Sequence, residues 1–331
     1  MNGTIVACDA SAGSDVIFLS QASALDARAF RALPRARHGR HRILTTETTL
    51  ARLGAAGERL RPHALLAGFG RPFALGELRL ELFPSGHAPG AASLLCERAG
   101  ARAVYAGVVG PTAQAEVRPA DALCLDAATG ARRFVFPAPE EARATIVTRV
   151  KEASAAGRAP VVLVEPEPAL ALAAALVDAG LAVRSARPFM QAAAAHARAG
   201  LAAPTLARFD GALRASEVLL WPPAERDAAR LGALASPFVV LATADAADPA
   251  AVTNARAELG VALSDRAGFD ELLRYVEATG AREVALVRAS GDELAVALRA
   301  RGVDVYPVGP PRQIALFAAR PDFAPHVVSP Q

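Results

Sequence analysis

The stretch PVVLVEPEPALALAAALVDAGLAV, residues 160–183, decides the fold class. Residues 160–164 form an unbroken apolar run, which is typical of a parallel strand covered on both faces. Residues 168–179 then predict a helix that ends before Gly180, and residues 181–183 predict a second strand. A strand, a helix and a strand in this order favour an α/β fold with a parallel sheet.

The alternation of helices and strands continues beyond this stretch. Apolar periodicity after residue 139 predicts further helices at 140–156, 188–199, 270–278 and 292–301 and further strands at 218–221, 238–242, 283–287 and 303–308. The part before residue 139 predicts mainly short strands, at 4–8, 16–20, 42–45, 73–75, 78–83, 92–96 and 103–106, with helices at 22–33 and 47–53. This order suggests one α/β domain that is interrupted by a second.

Composition excludes several classes of protein. Hydrophobic residues make up 53% of the chain, but its most apolar stretch, residues 169–183, is interrupted by Asp178 and Gly180. A membrane-spanning helix needs roughly 20 apolar residues, so we expect no span, and the N-terminus does not resemble a signal peptide. Three widely separated cysteines argue against a disulfide framework. We therefore expect a cytoplasmic protein.

A basic cluster lies in residues 28–42, which contain no acidic side chain. Such a cluster attracts phosphate groups, whereas a solvated helix face and loop is the alternative interpretation. The candidate nucleic-acid contacts are Arg28, Arg35, Arg37, Arg40 and Arg42.

Eight short motifs follow one another along the chain: CDA and FLS (8–10, 18–20), ILTTET (43–48), PSGHAPGAA (84–92), VYAG (104–107), LDAATG (125–130), FVFP with PEE (134–137, 139–141), LSDRAGF (263–269) and VRASG followed by DE (287–293). They resemble, in the same order, the motifs of metallo-β-lactamase-fold nucleases that carry a β-CASP insert. The chain is most similar to the bacterial exonucleases of this family that are associated with DNA ligase and a helicase.

This resemblance implies an α/β fold, namely a metallo-β-lactamase αββα sandwich with an inserted α/β β-CASP domain. The sandwich would be formed by residues 1–140 and 258–331, and the insert by residues 141–257. The chemistry of the family needs two zinc ions, which bind phosphate oxygens and generate a hydroxide nucleophile. Zinc is held by imidazole and carboxylate ligands, several for each ion.

The metal-ligand positions implied by the resemblance are mostly occupied by other residue types. They are Gln21, Ser23, Leu25, Asp26, His87, Val108, Asp126, Arg266 and Ser290. The His-x-His-x-Asp-His motif of the family stands here as QASALD, residues 21–26, and His87 is the one histidine among the nine positions. We predict that both zinc ions are lost. If any metal is retained, its ligands would be His87, Asp26 and Asp126.

The remaining polar residues also have structural interpretations. His87 lies in a tight glycine turn, where a hydrogen-bonded structural role is the alternative to a metal ligand. Asp9 would cap the turn after its strand, and Asp265 suits the N-cap of the helix that follows it. Arg266 either neutralises Asp126 or Asp26, or faces outward.

The resulting prediction is a catalytically inactive homologue that serves as a partner, a scaffold or a non-cleaving nucleic-acid-binding protein in DNA or RNA processing, for example in DNA repair. The partners that the resemblance suggests are an active β-CASP nuclease, a DNA ligase, a helicase or nucleic acid, with no membrane. The alternative is a residual metal-dependent nuclease or hydrolase that uses a reduced metal site. A small-ligand module that uses the emptied pocket is a third possibility.

Overall fold

A computed structural model describes residues 4–9, 14–25 and 43–308 of the chain. The first part forms a four-stranded parallel sheet in sequence order: β1 (Val6–Cys8), β2 (Val16–Phe18), β3 (Ile43–Thr45) and β4 (Ala64–Leu66). Between β3 and β4 lie the helices α1 (Glu47–Arg52) and α2 (Ala55–Leu60). Thr46 caps α1, because its hydroxyl accepts a hydrogen bond from the Thr49 N–H at 3.1 Å.

A second sheet begins with an antiparallel meander and continues in parallel. Its first strands are β5 (Phe73–Leu75), β6 (Leu78–Pro84), β7 (Ala92–Arg98), β8 (Ala101–Gly107) and β9 (Ala122–Asp126). Neighbours from β5 to β8 pair antiparallel, and β9 pairs parallel with β8.

Residues 139–260 form a separate six-stranded parallel sheet with its own helices, which we call the six-stranded unit. In chain order its elements are α3 (Pro139–Ala155), β10 (Ala159–Val164), α4 (Pro166–Asp178), β11 (Ala182–Ser185), α5 (Arg187–Arg198), β12 (Ala207–Arg208), β13 (Glu217–Trp221), α6 (Ala229–Gly232), β14 (Pro237–Ala242), α7 (Pro249–Asn254) and β15 (Leu259–Gly260). The strand order is β12-β11-β13-β10-β14-β15. The central strand β10 is buried along nearly its whole length, as its apolar sequence predicts.

The chain then returns to the second sheet. Its last elements are α8 (Phe269–Thr279), β16 (Glu283–Val287), α9 (Glu293–Arg299) and β17 (Asp304–Val308). β16 pairs parallel with β9, and β17 pairs with β16, which makes a seven-stranded sheet. The six-stranded unit thus lies, in sequence, between two strands that are neighbours in space.

Apolar side chains divide the remaining elements into four layers. α1 and α2 pack on one face of the four-stranded sheet through Leu50 and Leu60. The other face of this sheet packs on the seven-stranded sheet, where Phe18 and Leu44 meet Leu82. α8 and α9 cover the far side of the seven-stranded sheet, and the six-stranded unit has its own core. The order is therefore helices, sheet, sheet, helices.

The predicted α/β class is confirmed by these sheets and helices. The assignment to the metallo-β-lactamase and β-CASP folds, with bounds at 1–140, 141–257 and 258–331, stays a prediction. In the part of the chain that the structure describes, no helix has the length and apolarity needed to cross a membrane.

Two local predictions are wrong. The helix expected at 22–33 does not begin as an α-helix, because Ala22–Ala24 form a 3-10 turn and Leu25 is extended, with φ −66° and ψ 107°. The Leu25 side chain packs against the core beneath α1 instead. Asp265 is not an N-cap. α8 begins at Phe269, and the Glu271 carboxylate accepts a hydrogen bond from the Gly268 N–H at 3.0 Å.

Candidate functional site

A polar pocket of about 590 Å³ lies at the carboxyl ends of four strands. Asp9 follows β1, Val108 follows β8, Asp126 ends β9 and Arg288 follows β16. Ligand sites of α/β proteins commonly form at this edge of a parallel sheet, because the loops that leave neighbouring strands diverge there. We call this cavity the strand-end pocket.

Five of the nine implied metal-ligand positions line the strand-end pocket: Gln21, Ser23, Val108, Asp126 and Arg266. Three others point elsewhere. Leu25 packs in the apolar core beneath α1, and His87 lines a different groove. Ser290 is exposed and donates its backbone N–H to the Ala127 carbonyl at 3.2 Å.

The buried carboxylate of Asp126 is engaged by two guanidinium groups. Arg288 donates a hydrogen bond from Nη2 to Oδ2. Arg266 Nη1 lies 3.7 Å from Oδ1, within ion-pair distance but beyond hydrogen-bond distance. The Ala128 N–H donates to Oδ1 at 3.0 Å. Asp126 is therefore satisfied by positive charge from this chain.

Arg288 is a residue that the sequence analysis missed. It has a φ of 54°, which is uncommon for a side chain of this size, and its side chain is 61% exposed. Such a backbone conformation occurs in ordinary turns as well as at functional sites. The sequence contains one signal for it, a basic residue directly after the predicted strand 283–287. Asp126 ends the neighbouring parallel strand, so the two residues lie at the same edge of the sheet.

Asp9 is a second, half-buried carboxylate at the pocket, and it is held by hydrogen bonds. Its oxygens accept from the Ser20 N–H at 2.8 Å, the Ser20 hydroxyl at 2.6 Å and the Tyr105 hydroxyl at 2.9 Å. Burial raises the pKa of Asp9, and these hydrogen bonds oppose the increase. Asp9 thereby connects β1 and the end of β2 to Tyr105 of β8, a tie between the two sheets. Its predicted role as a cap of the following turn falls on residues outside those described.

Two thiols also line the strand-end pocket. Burial raises the pKa of Cys8, and nearby Cys96 and Asp9 raise it further. Burial likewise raises the pKa of Cys124, with Asp126 and Asp9 adding to the shift. Both thiols therefore favour the protonated form, which is a poor nucleophile.

His87 belongs to a separate groove of about 270 Å³ that Asp265, Glu167 and His196 also line. Its Nδ1 donates to the Asp265 carbonyl oxygen at 3.1 Å and lies 3.5 Å from Asp265 Oδ1. The imidazole is thus held by the loop before α8.

The turn around His87 requires its glycines. Gly86 has a φ of 75°, and a Cβ there would lie 2.5 Å from the Ala115 nitrogen. Gly90 has a φ of 80°, and a Cβ there would lie 2.7 Å from the Thr48 Cβ. The glycines of the PSGHAPGAA motif are therefore explained by close packing and positive φ, independently of any catalytic role.

The side chains of the strand-end pocket do not fit a pair of zinc ions. Two carboxylates and two thiols line it, but arginine engages Asp126 and hydroxyl groups engage Asp9. The other lining groups are an amide, hydroxyls, hydrocarbon and two guanidinium groups, whereas zinc binds imidazole, thiolate and carboxylate that are free to coordinate it. Within residues 4–9, 14–25 and 43–308, no three or more histidine, cysteine or acidic side chains are placed so that they would hold a metal ion together. Asp26, one of the three ligands proposed for a retained metal, lies outside these residues. So do Arg28, Arg35, Arg37, Arg40 and Arg42, so the predicted nucleic-acid contacts stay predictions.

Comparison with known proteins gives one partial likeness. No protein-family model matches the chain. A stretch of 117 residues is 31% identical to a probable DNA ligase of Opitutus terrae. The stretch is 35% of this chain and 12% of the ligase, so the likeness covers a small part of a much longer protein.

Proposed function

We propose that the chain is a catalytically silent homologue of the metallo-β-lactamase-fold β-CASP nucleases and acts in DNA processing without cutting DNA. The observation that carries the proposal is the engagement of Asp126 by Arg288, with Arg266 beside it. The ordered motifs of the sequence and the layer order of helices, sheet, sheet and helices support the choice of family.

Electrostatics explains why these arginines matter. Two unit charges about 4 Å apart interact by roughly 4 kcal/mol at an effective dielectric constant of about 20, and a dication doubles that repulsion. A metal ion at Asp126 would also have to displace Arg288 from its carboxylate. Without a metal-bound hydroxide, the pocket has no nucleophile of the kind that this family uses.

The DNA-related role is supported by the similarity to a probable DNA ligase and by the arginine cluster of residues 28–42. On this proposal the protein is a partner of an active nuclease, a DNA ligase or a helicase, or it binds DNA itself. Neutralising each phosphate releases counterions, so direct DNA binding would weaken linearly with salt on logarithmic axes.

Three measurements on the purified full chain test the proposal. Metal content is measured by mass spectrometry after incubation with Zn²⁺ or Mn²⁺, and cleavage is measured on labelled single- and double-stranded DNA. Fluorescence anisotropy over a salt series measures DNA binding. We expect no bound metal at unit stoichiometry, no cleavage and salt-dependent binding that R35Q and R37Q each weaken. The exposed Arg256, which pairs with Asp227 at 3.6 Å, offers the matched control R256Q.

Stoichiometric metal together with cleavage that H87A abolishes would establish the alternative, a residual metal-dependent hydrolase. Absence of both DNA binding and any interaction with a DNA-processing enzyme would refute the DNA-related role.

A further inference from the structure

The guanidinium of Arg266 has unused hydrogen-bond donors that face the strand-end pocket. Its nearest carboxylate oxygen, on Asp126, lies 3.7 Å away, and its side chain is 30% exposed. Among the described residues this guanidinium makes no hydrogen bond. Arg288 uses Nη2 for Asp126, lines the same pocket and has a side chain that is 61% exposed. The two guanidinium groups converge, because they approach opposite oxygens of one carboxylate.

Gln21 adds an uncharged hydrogen-bonding group to the wall of the pocket. The residue is only 7% exposed, it lines the pocket, and its amide forms no hydrogen bond to any of the residues that the structure describes. An amide that borders the pocket beside two guanidinium groups can donate to a ligand rich in acceptor oxygens.

Neighbouring acids limit how many negative charges the pocket admits. Asp126 balances one arginine, and Asp9 is already enclosed by three hydrogen bonds. Arg266 also lies within electrostatic range of Glu165, whose pKa is raised by burial and by Asp265 and Asp245. These carboxylates would repel several adjacent phosphates. A single phosphate group could instead accept hydrogen bonds from Arg266, Arg288 and Gln21.

We propose that the strand-end pocket binds one phosphate group of a nucleotide or of DNA, held by Arg266 and Arg288 with Gln21 as an additional donor. Guanidinium groups match phosphate oxygens in geometry as well as charge. A volume of about 590 Å³ also accommodates a nucleotide-sized ligand. The inference deepens the proposed function and rests on it. Arginine side chains would bind the phosphate at the position where two metal ions bind it in the active family.

The test uses the full chain with three probes: inorganic phosphate, a nucleoside monophosphate and a short fluorescent oligonucleotide. Binding of the first two is measured by calorimetry and of the third by anisotropy over a salt series. The variants are R266Q, which removes the free guanidinium, and Q21E, which puts a negative charge in the pocket at nearly unchanged shape. R256Q is the control, and thermal unfolding establishes that each variant is folded.

We expect R266Q and Q21E to weaken binding of the nucleoside monophosphate by about tenfold or more, because a charge-assisted hydrogen bond is lost or opposed. If DNA is the source of the phosphate, R266Q also lowers the salt slope of oligonucleotide binding by about one. R256Q should change neither. Folded R266Q and Q21E that bind every probe as the wild type does would overturn the inference.

The outcomes separate the inference from the function on which it rests. If R266Q and Q21E bind the oligonucleotide with the same salt dependence as the wild type, the DNA-related role is retained and the phosphate site is refuted. Binding of the nucleoside monophosphate without oligonucleotide binding keeps the site and identifies a free nucleotide as its ligand. Binding of none of the probes removes the site.

Discussion

Asp126 is a buried carboxylate whose charge is balanced by this chain's own arginines. Arg288 forms the direct hydrogen bond, and Arg266 lies farther away. A buried charge that loses its partner keeps the cost of leaving water without the compensating attraction. The stability of the pocket therefore depends more on Arg288 than on Arg266.

We predict that Arg288→Met lowers the free energy of unfolding by about 1–3 kcal/mol, since Arg288 is partly exposed and the full cost of an isolated buried charge is not reached. Urea unfolding measures the change, and R266M should cost less. The double variant D126N with R288M should recover part of the loss, because no unpaired charge remains. An R288M protein as stable as the wild type would show that Asp126 has another sufficient partner.

Much of the candidate site was predictable residue by residue, and the failures have physical causes. Gln21, Ser23, Val108, Asp126 and Arg266 meet at one pocket, as their motif positions suggest. Arg288 was missed because the direction of an arginine depends on a left-handed backbone, which the sequence does not reveal. Leu25 was misplaced because its apolar side chain fits a helix face equally well and a 3-10 turn decides where it points.

At the scale of elements, the glycine turn between β6 and β7 packs tightly against α1. Gly90 accepts hydrogen bonds at its carbonyl from the hydroxyls of Thr46 and Thr49, at 2.7 and 2.8 Å. A side chain at Gly90 would collide with the first turn of α1, so the turn and the helix are fixed together. Gly100 has nearly the same φ, 85°, but open space around it.

We predict that Gly90→Ala destabilises the protein by roughly 2–4 kcal/mol, through the collision and the left-handed backbone together. Gly100→Ala is the matched control and should cost about 1–2 kcal/mol, for the backbone alone. Thermal and urea unfolding measure both. Equal losses in the two variants would mean that α1 moves away from the turn without cost.

Strands with continuous or alternating apolar residues were predictable, whereas short or mixed elements were not. β10 and β14 match their predicted runs within one residue at each end. The unpredicted elements are α2, α6, α7, β4, β9, β12 and β15. β9 was treated as part of a motif, although Leu123 and Leu125 alternate with less buried neighbours as in a half-covered strand.

At the scale of the whole molecule, the six-stranded unit has an apolar core of its own. Its strands pair with one another, and its buried side chains form one cluster, which includes Ile146, Val162 and Leu220. A charged contact joins it to the rest of the chain, since Arg52 donates to Glu167, which also lies 3.0 Å from His196 Nε2.

We predict that residues 137–262 expressed alone fold cooperatively, because the apolar burial that stabilises them is internal. Circular dichroism during heating measures the transition, and amide hydrogen exchange shows whether β10 and β13 are protected as they are in the full chain. The amide hydrogens of α5, residues 187–198, should exchange faster in the isolated unit. Glu167, which contacts His196 of α5, loses its partner Arg52 there. A broad transition without protected amides would contradict the prediction.

The pairing of β9 with β16 has a consequence for how the chain folds. Ala122 pairs with Glu283, so this contact closes a loop that contains the entire six-stranded unit. Joining the ends of a long unfolded loop costs entropy, and a loop interior that is already compact reduces that cost. The Phe269 N–H donates to the Phe134 carbonyl at 2.9 Å, so the segments that enter and leave the unit run side by side. Early collapse of residues 139–260 would therefore accelerate formation of the seven-stranded sheet. A slower collapse would delay folding of the whole chain.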